Sequence, residues 1–124
     1  MNDSTDELDE IYIYSGTVWL IRMNGMPSET VGDVVSSLCI GRRKSTGNPL
    51  VPMFTNSELA EKFVKQIGIP NISPFKFTDS RQLLLVLEAM PKSGINDIAI
   101  DMDMEDAIYW PVTRLIDRVK KHLT

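Results

Sequence analysis

The densest group of side chains able to do chemistry is the carboxylate run Asp101, Asp103, Glu105 and Asp106. Carboxylates at alternate positions of an extended chain point to one side, and oxygen ligands so placed hold Mg²⁺ or Ca²⁺. The run follows Ile95–Ile100, an apolar segment that reads as a strand, and α/β folds place sites at strand ends. Asp101, Asp103 and Glu105 are therefore the candidate metal ligands. A blander reading competes: acids ahead of a helix oppose the positive end of its dipole and stay solvated. The run also lacks the glycine and the distant glutamate of a calcium-binding loop. The expectation is no bound metal and no cofactor.

Other reactive residue types are sparse. Cys39 and His122 are each the only residue of their kind, so neither a disulfide within the chain nor a common zinc set can form. Cys39 lies in an apolar run and reads as a small buried hydrophobe. His122 stands beside Lys120 and Lys121 at the end of a predicted helix, where a cation complements the dipole. A nucleophile–base pair with Cys39 or a serine would need tighter positioning than a helix end supplies. Gly41-Arg-Arg-Lys-Ser-Thr-Gly47 looks like a phosphate loop, yet no Gly-Lys-Ser/Thr follows a four-residue spacer. Arg42, Arg43 and Lys44 instead read as a basic turn able to meet an acidic protein surface. Tyr12, Tyr14, Trp19, Tyr109 and Trp110 offer rigid contact area with a polar handle. Of these, Tyr109 and Trp110 precede the last helix at what reads as an irregular junction, so Trp110 is expected at the surface. Met53, Met90, Met102 and Met104 read as core filling, with an adaptable groove as the alternative.

The elements that must position these residues follow from the pattern. Tyr12–Met23 is rich in β-branched and aromatic residues and predicts strand, interrupted at Ser15-Gly16. Residues 30–40 fit both periods, with strand favoured from about Asp33 because of the valines and paired serines. The turn at 41–48 would then join antiparallel strands over roughly 34–40 and 49–54. Pro49 and Pro52 lack amide donors and predict that the second strand is short or near an edge. A helix should start at once, with Thr55 as cap and Glu58 three residues on, burying Leu59, Ala60, Phe63, Val64 and Ile67. Gly68 and Pro70 end it, and Phe75 and Phe77 alternate like a short strand. Asp79, with Gln82 at capping-box spacing, starts a second helix burying Leu83, Leu84, Leu87 and Met90, with Leu85 and Val86 widening the face. A short strand over 95–100 and a helix over 111–122 complete the chain, Pro111 suiting the first helical turn. The expected fold class is α/β (α+β): a single mixed sheet with an antiparallel hairpin, packed against about three helices.

Length and composition fit one soluble domain, with 124 residues, 43% apolar and 24% charged. Five acids and no base fall within residues 1–10, leaving 12 acids against 13 bases elsewhere. Residues 1–8 are expected to form an acidic flexible arm and residues 9–124 one domain. The acidic start is unlike a secretory signal, so a cytoplasmic location is expected, with no membrane partner. The lack of a basic excess argues against nucleic acid.

The strand ending Pro49-Leu-Val-Pro-Met-Phe-Thr55, the Asn-Ser-Glu-Leu helix start, the leucine-rich helix and Gly94-Ile-Asn-Asp-Ile-Ala-Ile-Asp101 resemble, in that order, the N-terminal domain of the SseB ("enhanced serine sensitivity") family. The resemblance spans roughly residues 17–101 and implies a small α/β domain of the bacterial cytosol with no enzymatic activity assigned. Where family members often carry a proline after the last strand, this chain has Asp101–Asp106. The expected function is a non-enzymatic protein-interaction or regulatory module, with Arg42, Arg43, Lys44, Tyr109 and Trp110 as partner-binding residues. The partner would be another protein, homodimerisation being one case. The alternatives are a metal-dependent enzyme or small-ligand binder using Asp101–Asp106, and a toxin-neutralising immunity protein.

Overall fold

The computed structural model describes residues 12–103 and 106–124. The expected acidic arm, residues 1–8, lies outside them, as do Met104 and Glu105. The elements run β1 (Val18–Met23), α1 (Val31–Ser37), β2 (Gly41–Arg42), β3 (Pro49–Phe54), α2 (Ser57–Ile67), β4 (Ile72–Phe77), α3 (Ser80–Ala89), a 3₁₀ turn (Pro91–Ser93), β5 (Asp97–Asp103), β6 (Asp106–Pro111) and α4 (Val112–Leu123). The strands form one six-stranded mixed sheet ordered β4-β1-β3-β5-β6, with β2 pairing the start of β3. The α+β class expected from the sequence is the observed one. Among the described residues no helix is long and apolar enough to cross a membrane.

Period-two alternation builds a core on each face of the sheet. Val18 and Leu20 of β1, Val51 and Met53 of β3, and Ile98 and Ile100 of β5 face the larger core, which is closed by Val35 of α1, Leu83, Val86 and Leu87 of α3 and Leu115 and Val119 of α4. Ile21 of β1 and Phe54 of β3 face the smaller core under Ala60 and Phe63 of α2. The middle of the sheet is thus covered twice, and β3 and β5 pair in parallel from Leu50↔Asp97 to Met53↔Ile100. A parallel pair needs this double cover, because its strands are apolar on both sides.

Two expectations about β3 are corrected. β3 is a central strand, despite Pro49 and Pro52. Its antiparallel neighbour changes from β2, at Pro49 and Leu50, to β1, at Met53 and Phe54. Val51 and Pro52 have no register partner on that side, where a missing amide donor interrupts no continuous ladder. The hairpin itself is only Gly41↔Leu50 and Arg42↔Pro49, not 34–40 against 49–54.

Residues 31–37 are helical, not strand. The Thr30 hydroxyl accepts from the Asp33 amide at 3.0 Å, and the Asp33 carboxylate accepts from the Thr30 amide at 3.2 Å, a complete capping box. Such a cap contributes about 1 kcal/mol, while the helix penalty of each valine is a few tenths. The cap offsets only part of the summed penalty of three valines and Gly32, and the packing of Val31, Val34 and Val35 on the larger core at helical spacing supplies the rest. Arg22 ties α1 to β1: its Nε donates to Ser37 Oγ at 2.6 Å, and its guanidinium lies 4.8 Å from the Phe75 ring centroid.

Helix α2 is capped by Asn56, whose side chain accepts from the Leu59 amide at 2.9 Å; Thr55, the expected cap, is engaged elsewhere. Gly68, at φ 69°, ends the helix in the left-handed conformation. Asp79 caps α3 as expected, accepting from the Arg81 amide at 2.9 Å. Leu83, Val86, Leu87 and Met90 are buried there, but Leu85 is 53% exposed and does not widen the face. Edge strand β4 carries Pro74 and Lys76, residue types that discourage pairing with another edge.

Leu20→Ala should cost about 3 kcal/mol, since Leu20 is fully buried where β1 meets the larger core. Leu85→Ala should stay within about 0.5 kcal/mol. Urea unfolding monitored by tryptophan fluorescence checks both.

Candidate functional site

Strand β6 presents two faces of different character. Ile98↔Trp110 and Ala99↔Tyr109 are cross-strand pairs, so Trp110 shares the face of the larger core and Tyr109 the opposite one. Trp110 is only 1% exposed, with the Tyr12 ring edge-on at 5.3 Å and the guanidinium groups of Arg114 and Arg118 at 5.6 and 5.9 Å. The expectation that it lies at an irregular surface junction is wrong, and it cannot present itself to a partner. The overlooked signal is its phase with Ile108, which marks a strand before Pro111.

Tyr109 is half-buried on that opposite face. The register aligns Pro52, Ala99 and Tyr109 across three strands on one face. Arg43, in the turn after β2, places its guanidinium 4.3 Å from the Tyr109 ring centroid. The turn is held by the Arg43 amide donating to Asn48 O at 2.9 Å and by Arg42 Nη1 donating to Gly47 O at 2.9 Å. Gly47 sits at φ 74°, a conformation that favours glycine. Arg42 and Lys44 are exposed beside the stacked pair. The fold therefore brings together Arg42, Arg43, Lys44 and Tyr109, and removes Trp110.

A second corner forms where β3 and β5 end. Because the two strands are parallel, their carboxyl ends lie side by side, and Thr55 and Asp101 follow the last pair. The Asp101 carboxylate accepts from the Thr55 amide and the Thr55 hydroxyl, both at 2.8 Å. Asp101 has φ 53°, left-handed backbone that aspartate tolerates better than most residues. The register shifts between Ile100 and Asp103, so the alternation expected to align Asp101 with Asp103 is broken by a bulge. Asp103 pairs instead with Lys62 Nζ at 3.2 Å on the exposed side of α2, a contact of about 0–1 kcal/mol. Among the described residues no three His, Cys, Asp or Glu side chains are grouped to hold a metal ion. Glu105, the third expected ligand, lies outside those residues.

A cavity of about 350 Å³ opens at this corner, lined by Tyr12, Ser15, Thr17, Thr55 and Asp101 with Ile108 among its apolar walls. Residues 12–17 are not strand; they cross the sheet end through two inward tyrosines. The Tyr14 hydroxyl and Ser80 Oγ share a hydrogen bond of 2.7 Å, and the Tyr14 ring meets His122 edge-on at 5.0 Å. Gly16, at φ 100°, lies against His122, where an added Cβ would come within 3.2 Å of Nε2. Tyr12 is buried, and among the described residues its hydroxyl has no hydrogen-bond partner. Burial, then the neighbouring Tyr14 and Asp101, push its ionisation far above the ordinary tyrosine range. Cys39 is half-buried, and burial pushes its thiol up as well. No family model matches the chain, and no curated protein is significantly similar to it.

Tyr12→Phe should stabilise the protein by about 1 kcal/mol at neutral pH, because it removes a buried hydroxyl that bonds to nothing. The folded state keeps the Tyr12 proton at pH values where the unfolded chain releases it. Stability must therefore fall as pH rises beyond about 10, and Tyr12→Phe should flatten that fall in pH-dependent urea titrations. Cys39 should react with iodoacetamide at pH 8 roughly tenfold more slowly than in the urea-unfolded chain, which mass spectrometry of the alkylated product measures.

Proposed function

We propose that the chain is a non-enzymatic protein-interaction module that docks an acidic protein segment on the surface formed by Arg42, Arg43, Lys44 and Tyr109. The observation that carries this reading is the stacking of Arg43 on Tyr109. A guanidinium lying on a ring uses its flat face and keeps its in-plane N–H groups for other partners. Within the described residues the Arg43 guanidinium makes no hydrogen bond. Its fork is pre-oriented, so less side-chain entropy is lost when a carboxylate arrives. The stacking itself contributes only about 0.5–1 kcal/mol at an exposed site, too little to make stability its main use. A bidentate carboxylate adds a charge-assisted pair of stronger bonds. Flanking Arg42 and Lys44 extend the positive field and speed encounter with an acidic segment. Pro74 and Lys76 on the β4 edge favour a different protein over a second copy joined edge to edge.

With the co-purified partner in hand, titration of the two purified proteins tests the proposal. Arg43→Glu should weaken binding at least tenfold (about 1.4 kcal/mol). Tyr109→Ala should weaken it severalfold, and Lys92→Glu, an exposed base on the 3₁₀ turn, should leave it unchanged. Affinity should also fall as ionic strength rises through about 0.15 M. Equal binding by wild type and Arg43→Glu would remove the proposal.

A further inference from the structure

The cavity at the joined ends of β3 and β5 belongs to neither the Arg43–Tyr109 surface nor the core. Its lining is chemically one-sided. Among the described residues, Ser15, Thr17 and Thr55 supply hydroxyls, Tyr12 supplies ring surface, Asp101 supplies the one formal charge, and no lysine or arginine takes part. An anion would meet a carboxylate there with nothing to offset it. A divalent cation would find one carboxylate among neutral hydroxyls, fewer charged ligands than such ions ordinarily take from protein alone.

We propose that this cavity binds a small organic cation carrying a primary ammonium group. An ammonium has three donors and no acceptor, which matches a carboxylate surrounded by hydroxyl oxygens. Each Asp101 oxygen already accepts one hydrogen bond from Thr55, at 2.8 Å, and keeps further acceptor capacity. That pair of bonds also fixes the carboxylate in place before a ligand arrives. Ile108 and its apolar neighbours receive a short carbon stem. The volume of about 350 Å³ sits at the small end of ligand sites.

Two features that cost stability converge on this cavity. Beside it, the buried Tyr12 hydroxyl has no partner among the described residues, and Asp101 is held in left-handed backbone. Local costs of this kind collect where a chain is built for binding rather than for stability alone. The position also agrees with the general placement of ligands outside the carboxyl ends of parallel strands.

Titration of the ¹⁵N-labelled full chain with n-butylamine tests the proposal, with 1-butanol and Mg²⁺ as comparison probes. Butylamine should give saturable amide shifts at Ser15, Thr17, Thr55 and Ile108, with a Kd on the order of 1 mM. Asp101→Asn keeps the shape of the side chain and is at ease in left-handed backbone. It should weaken binding at least tenfold while its other amide signals stay in place. Ile108→Trp, which fills the cavity without touching its charge, should abolish binding. If Asp101→Asn fails to fold, the Ile108→Trp result still decides the matter. Absence of saturable shifts with butylamine would overturn the proposal. So would equal shifts with 1-butanol, unchanged binding in either variant, or displacement of butylamine by Mg²⁺ at equal concentration. The Arg43→Glu variant should bind butylamine normally, so failure here and failure of the protein-docking surface remain distinguishable.

Discussion

The parallel pairing of β3 with β5 is the constraint on which the rest of this structure depends. Val51, Met53, Ile98 and Ile100 face one core, and Phe54 and Ala99 turn the other way; all are buried. Each fully buried aliphatic or aromatic side chain of this size contributes about 1.5–3 kcal/mol, so the pair concentrates much of the favourable energy in two strands. Covering both faces requires helices on both sides: α1, α3 and α4 over the larger core and α2 over the smaller. The parallel direction then forces both strands to end at the same margin. Thr55 and Asp101 meet there, in a charge-assisted clamp of two hydrogen bonds.

The two candidate surfaces follow from opposite properties of β5 and β6. On the margin, a bulge turns Asp101 out of the strand's alternation and into the clamp. Across β6, the unbroken part of the register sends Trp110 inward and Tyr109 outward. A tryptophan buried in the larger core is a packing residue, and an exchange of neighbours by one position would have reversed the roles. The basic turn reaches Tyr109 through Arg43, whose guanidinium lies 4.3 Å from the ring centroid. Neither surface needs a reactive side chain. One carries a guanidinium held over a ring, and the other a carboxylate held by Thr55.

Much of the fold was legible because local signals and burial agreed. The Asp79 cap, the Gly68 stop and the apolar stripes of α2, α3 and α4 each announced themselves at helical spacing. The misreadings share one cause, tertiary context outweighing a local preference. Val31, Val34 and Val35 favour strand in isolation, but their packing against the larger core, with the Thr30–Asp33 box capping the first turn, holds them helical. Pro52 argues for an edge, but the change of neighbour from β2 to β1 accommodates it at the centre. Thr55 has the type and spacing of a cap, but Asp101, distant in sequence, takes its hydroxyl and leaves the cap to Asn56. Of the site, the meeting of Arg43 with Tyr109 was legible as a pairing of residue types. The cavity was not, since Tyr12, Ser15 and Thr17 reach Asp101 only through folding.

The Thr55 amide reports most directly on this account. It lies outside both β3 and α2, so secondary structure alone gives it no protection, and its donation to Asp101 is the clamp itself. Native-state hydrogen exchange should find the Thr55 amide exchanging as slowly as that of Met53, by opening with the whole domain. Exchange of Thr55 as fast as a surface-turn amide, with Met53 still protected, would contradict the claim that the clamp closes the central strand pair.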